Sequence, residues 1–225
     1  MAKEVIVISL GGSRIIPHKI DVNFLKRFKK AILKISRKSK VVICTGGGKL
    51  ARDYIQALER FNVSEKRQNL SGIAATRLNA SLLANVLGMN EKIPESLKQV
   101  KGLLRKHNIV VCGGMKPGRT SDGTTAEIAR FLKAGALVNI TNVKGLYDKD
   151  PKKFKNAEFI AEISHRDFAR MAAKVRKEPG QHFVLDSVAA KIAMEEGIKV
   201  IIIKDIAELL KYLSGKKFKG TIIKK

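Results

Sequence analysis

Tryptophan is absent, and cysteine occurs only twice, at Cys44 and Cys112. Both cysteines lie in apolar, strand-like runs with no zinc-ligand spacing around them. That pattern argues against a disulfide framework or a zinc site and predicts two buried thiols. Long apolar runs are missing too: no segment reaches the about 18 residues that a membrane helix needs. The opening "MAKEVIVISL" carries one short apolar run, which glycines break, too short for a signal peptide or a span. The expectation is a soluble, cytoplasmic protein that does not enter a membrane.

Acidic residues are the scarce charge, 20 against 45 basic ones, for a net charge of +25. Such an excess attracts nucleic acid or small anions. Yet the lysines are scattered through stretches such as "LKRFKKAILKISRKSK", and aromatics make up only 5% of the chain. Scattered lysine is the pattern of solvated helix faces, so a nucleic-acid partner is the less favoured reading. Disorder is excluded, because 44% of the residues are hydrophobic and the chain is long enough to bury a core.

What is present is a repeating unit of buried strand, glycine turn and helix. "EVIVISL", "KVVICT" and "NIVVC" are continuous apolar runs of the kind that a parallel sheet covers on both faces. "GGS", "GGGK" and "GGMKPG" follow them. Helical spacing then runs from Asp21 through Val22, Leu25, Phe28, Ile32 and Ile35, with Asp21 as N-cap. "KLARDYIQALERF", "SGIAATRLNASLLANVLG" (ending at Gly88) and "SDGTTAEIARFLKA" (capped by Ser121 or Asp122) continue the helices, and "ALVNITNV" is a fourth strand. Beyond Tyr147 a polar stretch with a helix runs to a loop over 177–183. The helix "SVAAKIAMEEG", the strand "KVIII", the helix "IAELLKYLSG" and an edge strand "GTIIKK" complete the chain. Alternating strands and helices mean an α/β fold with a mainly parallel sheet. The chain divides into an N-terminal lobe over 1–140 and a C-terminal lobe over 141–225.

Parallel α/β sheets hold ligands at the carboxyl ends of their strands, where all three glycine turns fall, so the turns are expected to converge on one cleft. Glycine lets the backbone approach a ligand closely, and successive N–H groups at a helix start attract an anion. A phosphorylated ligand is therefore the expectation. Two common phosphate motifs do not fit. A Walker A loop needs Ser or Thr after its lysine, where Leu50 follows Lys49, and the first turn lacks the G-x-G-x-x-G pattern. "HRD" at His165 to Asp167 lacks the asparagine of a protein-kinase loop, with Ala172 in its place.

The ordered set "LGGS", "GGGKLAR", "GIAATRLNASLL", "GGMKPGRTSD", "ITNVKGLYDKDPKK", "LDSVAAKIA" and "GTII" resembles the amino acid kinase family, and within it the archaeal-type uridylate kinases, over nearly the whole length. The resemblance implies a three-layer α/β/α sandwich with an acceptor lobe followed by an ATP lobe, and a homo-oligomer, usually a hexamer in that group. It implies transfer of the ATP γ-phosphoryl group to a nucleoside monophosphate, UMP to UDP in pyrimidine synthesis, with Mg2+ carried by the nucleotide. By the same resemblance Gly12, Ser13, Gly48 and Arg52 place ATP phosphates, and Thr141, Asn142, Tyr147 and Asp150 hold its base and ribose. Gly47, Asn69, Gly114, Met115, Lys116, Pro117, Gly118, Arg119 and Thr120 surround the acceptor. Lys191 and Asp122 are the catalytic pair, Lys191 reaching the transferred group and Asp122 orienting a catalytic cation or the acceptor. No metal site on the protein itself is implied.

The chain departs from the family pattern on acidic and acceptor-side positions. Ser9 stands where Lys or Asp is common, Asn69 where an Asp holds ribose, Met115 where a Thr is usual, and "NVKG" replaces "NVDG" at Lys144. Two alternatives stay open: the same fold acting on another phosphate or carboxylate acceptor, and a non-catalytic relative that binds nucleotide, an oxyanion or RNA.

Overall fold

The computed structural model describes residues 3–151, 153–175 and 184–225. Three strand–turn–helix units open the chain. β1 (Val5–Leu10) leads through α1 (Gly12–Ile15) to α2 (Val22–Ile35), and β2 (Lys40–Thr45) leads to α3 (Gly48–Arg60) and α4 (Glu65–Leu87). α5 (Leu97–Lys106) precedes β3 (Ile109–Cys112), and α6 (Ser121–Leu132) precedes β4 (Ala136–Ile140). β5 (Leu146–Tyr147), β6 (Phe159–Ile160) and β7 (Glu162–Ser164) then lead to α7 (His165–Val175). α8 (Ser187–Glu196), β8 (Lys199–Ile203), α9 (Ile206–Leu213) and β9 (Gly220–Lys224) complete the order. The loop expected over 177–183 lies outside the described residues.

The main sheet runs β3-β2-β1-β4-β8-β9-β7. Strands β1 to β4 and β8 run parallel to one another, and β9 returns antiparallel to β8. The alternation of side chains along each strand explains why the sequence runs are apolar without a break. Ile6, Ile8 and Leu10 of β1 face one layer with α2, α4 and α9, while Val7 faces the other with α5, α6, α7 and α8. The result is the expected three-layer sandwich. β4 joins β1 to β8 across the expected lobe division, so one continuous sheet serves both lobes.

Helix ends follow local chemistry. Asp21 caps α2 by accepting from the Phe24 N–H at 2.8 Å, and α4 ends on Gly88 at φ +68°. Three expectations change. The cap of α6 is Thr120, whose Oγ1 accepts from the Gly123 N–H at 3.0 Å. Thr120 keeps an extended backbone while Ser121 and Asp122 are already helical. β9 is not an edge strand, because β7 pairs parallel to its outer side and takes the rim. The third change is an addition, α5, which buries Val100 and Leu104 under the sheet. Cys44 and Cys112 are buried free thiols, as expected, and stand opposite each other in the β2–β3 register. Their pairing and burial push the Cys112 thiol up, which keeps it inert.

Candidate active site at the carboxyl edge of the sheet

The first two glycine turns meet backbone to backbone. A Cβ on Gly12 would stand 2.4 Å from Gly48 N, 2.5 Å from Gly46 O and 2.7 Å from the Gly47 carbonyl carbon. Gly46 would place its own Cβ 3.0 Å from Gly12 N and 3.3 Å from Ser121 Oγ. Only residues without side chains fit here, and Gly48 also needs its φ of +64°. Short hydrogen bonds fix the arrangement to the sheet: Gly46 N–H to Leu10 O at 2.9 Å and Gly11 N–H to Ile140 O at 3.1 Å. Helices α1 and α3 both begin at these turns, and neither Gly11 nor Gly47 offers a side-chain cap. Their first N–H groups are therefore available to an anion, and the dipole of the 13-residue α3 adds to the attraction.

Helix α4 braces the turns from behind. Thr76 Oγ1 accepts from the Gly114 N–H at 2.7 Å, and Arg77 Nε donates to Gly114 O at 3.1 Å. Thr45 Oγ1 donates to Thr76 O at 2.8 Å, tying β2 to the same helical turn. Asn79 Nδ2 donates to Gly46 O at 2.7 Å. Gly113 packs against this helix so closely that a Cβ would stand 2.8 Å from Thr76 Oγ1. Thr76, Arg77 and Asn79 were not singled out in the sequence. Their signal is polar residues on the buried stripe that continues through Ala80, Leu83 and Leu87.

A carboxylate group closes the third side. Asp122, in the first turn of α6, accepts from Ser9 Oγ at 2.7 Å. Burial pushes its carboxyl up to about 6, the nearby Asp186 charge adds to the rise, and the Ser9 hydrogen bond partly opposes it. Asp186 caps α8 by accepting from the Ala189 N–H at 2.8 Å. It also accepts a hydrogen bond from Thr120 Oγ1. Thr120 thus joins the starts of α6 and α8, and Asp186, carried in the "LDSVAAKIA" stretch but given no role there, joins the site. Among the described residues no group of three or more His, Cys, Asp or Glu could hold a metal ion.

The other expected residues fall in three places. Ser13 and Gly47 line the paired turns, half-buried, with Arg52 exposed on α3. Gly114 is buried, Met115 packs on the layer of α5 to α8, and Lys116, Pro117, Gly118 and Arg119 form an exposed loop. Arg119 pairs with Glu127 at 3.0 Å. Asn69 sits half-buried near the start of α4, before the bracing turn. A second group follows β4: Thr141 donates its N–H to Ile203 O at 3.0 Å, and Asn142 is exposed beside it. Tyr147 meets Phe159 edge-on at 5.4 Å, and Asp150 is half-buried close by. Lys191 lies on α8. Its side chain is 72% exposed, lies 3.7 Å from Glu195, and lines a cleft with Arg119, Glu127 and Arg130.

The sequence model described as "Amino acid kinase family" matches residues 4–204. The chain belongs to the amino acid kinase family. Its similarity to members of the family extends over nearly the full length. It is 38% identical to a uridylate kinase of Thermoplasma acidophilum over 98% of this chain and 96% of that protein. It is 37% identical to a uridylate kinase of Pyrococcus abyssi over 97% and 98%. The crystal structure of uridylate kinase from Archaeoglobus fulgidus superposes with a TM-score of 0.86 at 34% identity, covering 97% of this chain and 99% of that one. The UMP kinase of Ureaplasma parvum shares the fold, with a TM-score of 0.80 at 23% identity. The paired turns, the bracing helix and the α6 carboxylate are thus built within an amino acid kinase fold.

Proposed function

We propose that this chain transfers the γ-phosphoryl group of ATP to UMP, giving ADP and UDP. The observation that carries the reading is the contact of two uncapped, glycine-led helix starts at Gly12 and Gly48. Phosphoryl transfer asks a protein mainly to hold two anions in line and to neutralise the developing charge, and bare amides beside cations do both. Uridylate kinases that match over nearly their entire length supply the acceptor. Gly12, Ser13, Gly48 and Arg52 hold the ATP phosphates, and Thr141, Asn142, Tyr147 and Asp150 hold its nucleoside across the β4–β8 half of the sheet. Gly47, Asn69 and the loop from Gly114 to Thr120 hold UMP over the β1–β3 half. Among the described residues Asp122 and Asp186 are the carboxylates near the turns, so a Mg2+ ion would be carried by ATP, whose phosphate oxygens would supply most of its ligands.

Coupled turnover with Mg-ATP and each nucleoside monophosphate tests the reading. ADP release that depends on UMP supports it. Release with another acceptor, or none with any, overturns it. Lys191 reaches the transferred phosphoryl group by leaving Glu195, an exposed partner that holds it weakly. Lys191→Ala is expected to lower kcat by about tenfold or more. The melting temperature should stay put, because the side chain is a surface one; an unchanged kcat would remove Lys191 from the chemistry.

We propose further that the protein works in the cytoplasm as a homo-oligomer, the hexamer that the family resemblance implies. Tyr54 on α3, Phe61 just past its end, and Leu70 and Leu78 on α4 are exposed apolar side chains that a second copy would cover. Light scattering at working concentration reads the subunit number.

A further inference from the structure

We infer that Asn79 is a positioning residue for the phosphate-facing turn after β2, setting the direction of its amides before any ligand arrives. The inference rests on the reading of that turn as a phosphate site. Asn79 is 1% exposed. Its Nδ2 donates to Gly46 O at 2.7 Å and reaches Gly47 O at 3.4 Å. Its Oδ1 is buried and accepts nothing.

The turn 46–48 has no side chain of its own with which to hold a conformation, and glycine loses more backbone freedom on ordering than any other residue. The constraint must come from outside. In a trans peptide the carbonyl and the following N–H point opposite ways. By gripping the Gly46 and Gly47 carbonyls, Asn79 therefore fixes the Gly47 and Gly48 N–H groups to point away from α4. Those are the amides at the uncapped start of α3. The same helix grips Gly114 through Thr76 and Arg77, so two turns are held from one rigid element. The unsatisfied Oδ1 is a local cost. A core that needed only packing would put leucine or alanine there, as α4 does at Ala80 and Leu83. Retaining the carboxamide with one end unmet makes sense if the donating end has a task.

The test compares the dissociation constant of Mg-ATP, by calorimetry well below the melting temperature, for the full chain and two variants. Asn79→Ala removes the grip and is expected to weaken Mg-ATP binding by about tenfold. Asn79→Asp separates positioning from packing. Above its raised pKa the buried carboxylate repels both carbonyls, and once protonated it donates to Gly46 O as the amide did. The ratio of its dissociation constant to that of the unsubstituted chain should fall as pH drops from 8 to about 5. Titration of Asp122 is common to both proteins and cancels in that ratio. An Asn79→Ala constant within twofold of the original, or an Asn79→Asp ratio that does not change with pH, overturns the inference. A protein that binds Mg-ATP but forms no UDP refutes the assigned acceptor and leaves Asn79 to be decided by these affinities. A protein that binds no Mg-ATP refutes both.

Discussion

Gly12→Ala is expected to reduce UMP-dependent ADP release by about a hundredfold or more, since a displacement of about 1 Å at reacting groups costs that much. The added methyl would sit 2.4 to 2.7 Å from three backbone atoms of the neighbouring turn. Backbone cannot swing aside as a side-chain end does, so the β1 and β2 turns must separate. That separation breaks the arrangement in which the starts of α1 and α3 face one ligand. Folding should survive, because the layers on both sides of the sheet are untouched, but with a lower melting temperature. Gly215→Ala is the matching control. Gly215 has φ +68° and nothing within 4 Å of a new Cβ. It should lose about 1 to 2 kcal/mol to left-handed backbone strain, with turnover changed far less than by Gly12→Ala. Equal activity of Gly12→Ala and the unsubstituted protein would show that the paired turns do not hold the reacting groups.

Asp122→Asn should separate activity from stability in opposite directions. In the proposed reaction the carboxylate carries the negative charge that orients a cation or the acceptor, and its loss is expected to cost about a hundredfold in kcat. For the unsubstituted enzyme, kcat should fall as pH drops below about 6, where Asp122 takes up its proton. Stability runs the other way. The folded chain keeps the Asp122 proton up to about pH 6, whereas the ordinary value is 3.8. Between those values the unfolded state binds fewer protons, so Asp122 lowers stability as pH rises through the window. Its favourable contribution is complete below 3.8 and gone above about 6. Asn carries no such burden and can still accept from Ser9. The variant should therefore melt higher than the unsubstituted protein at pH 8, and the difference should shrink toward pH 4. A lower melting temperature at pH 8, or an undiminished kcat, would contradict this account of Asp122.

The repeated strand–turn–helix units were legible because their signals are local. An apolar run such as "KVVICT" can only be a strand covered on both faces, and "GGG" after it marks the carboxyl end where ligands collect. The convergence of the first two turns followed from the rule for parallel sheets. The Asp21 cap and the Gly88 terminus followed from side-chain and backbone chemistry within a few residues. The partners of the turns were not legible. Thr76, Arg77 and Asn79 act on glycines 32 to 38 positions away, and Asp186 reaches Thr120 across 66. The strand order at the far edge was missed for the same reason: β7 and β9 pair across a long stretch of chain. Their apolar content does not say which of them lies at the rim.

The amino-acid sequence by itself determined the α/β class, the glycine turns at strand ends and membership of a phosphotransferase family, since each depends on residue type and short spacing. Only the tertiary structure decided that Gly12 touches Gly48, that α4 holds two turns at once and that Asp122 is buried, with Asp186 near it, so that its carboxyl is pushed toward neutrality. Those facts are distances between residues far apart along the chain, and they exist only once the sheet has packed its layers.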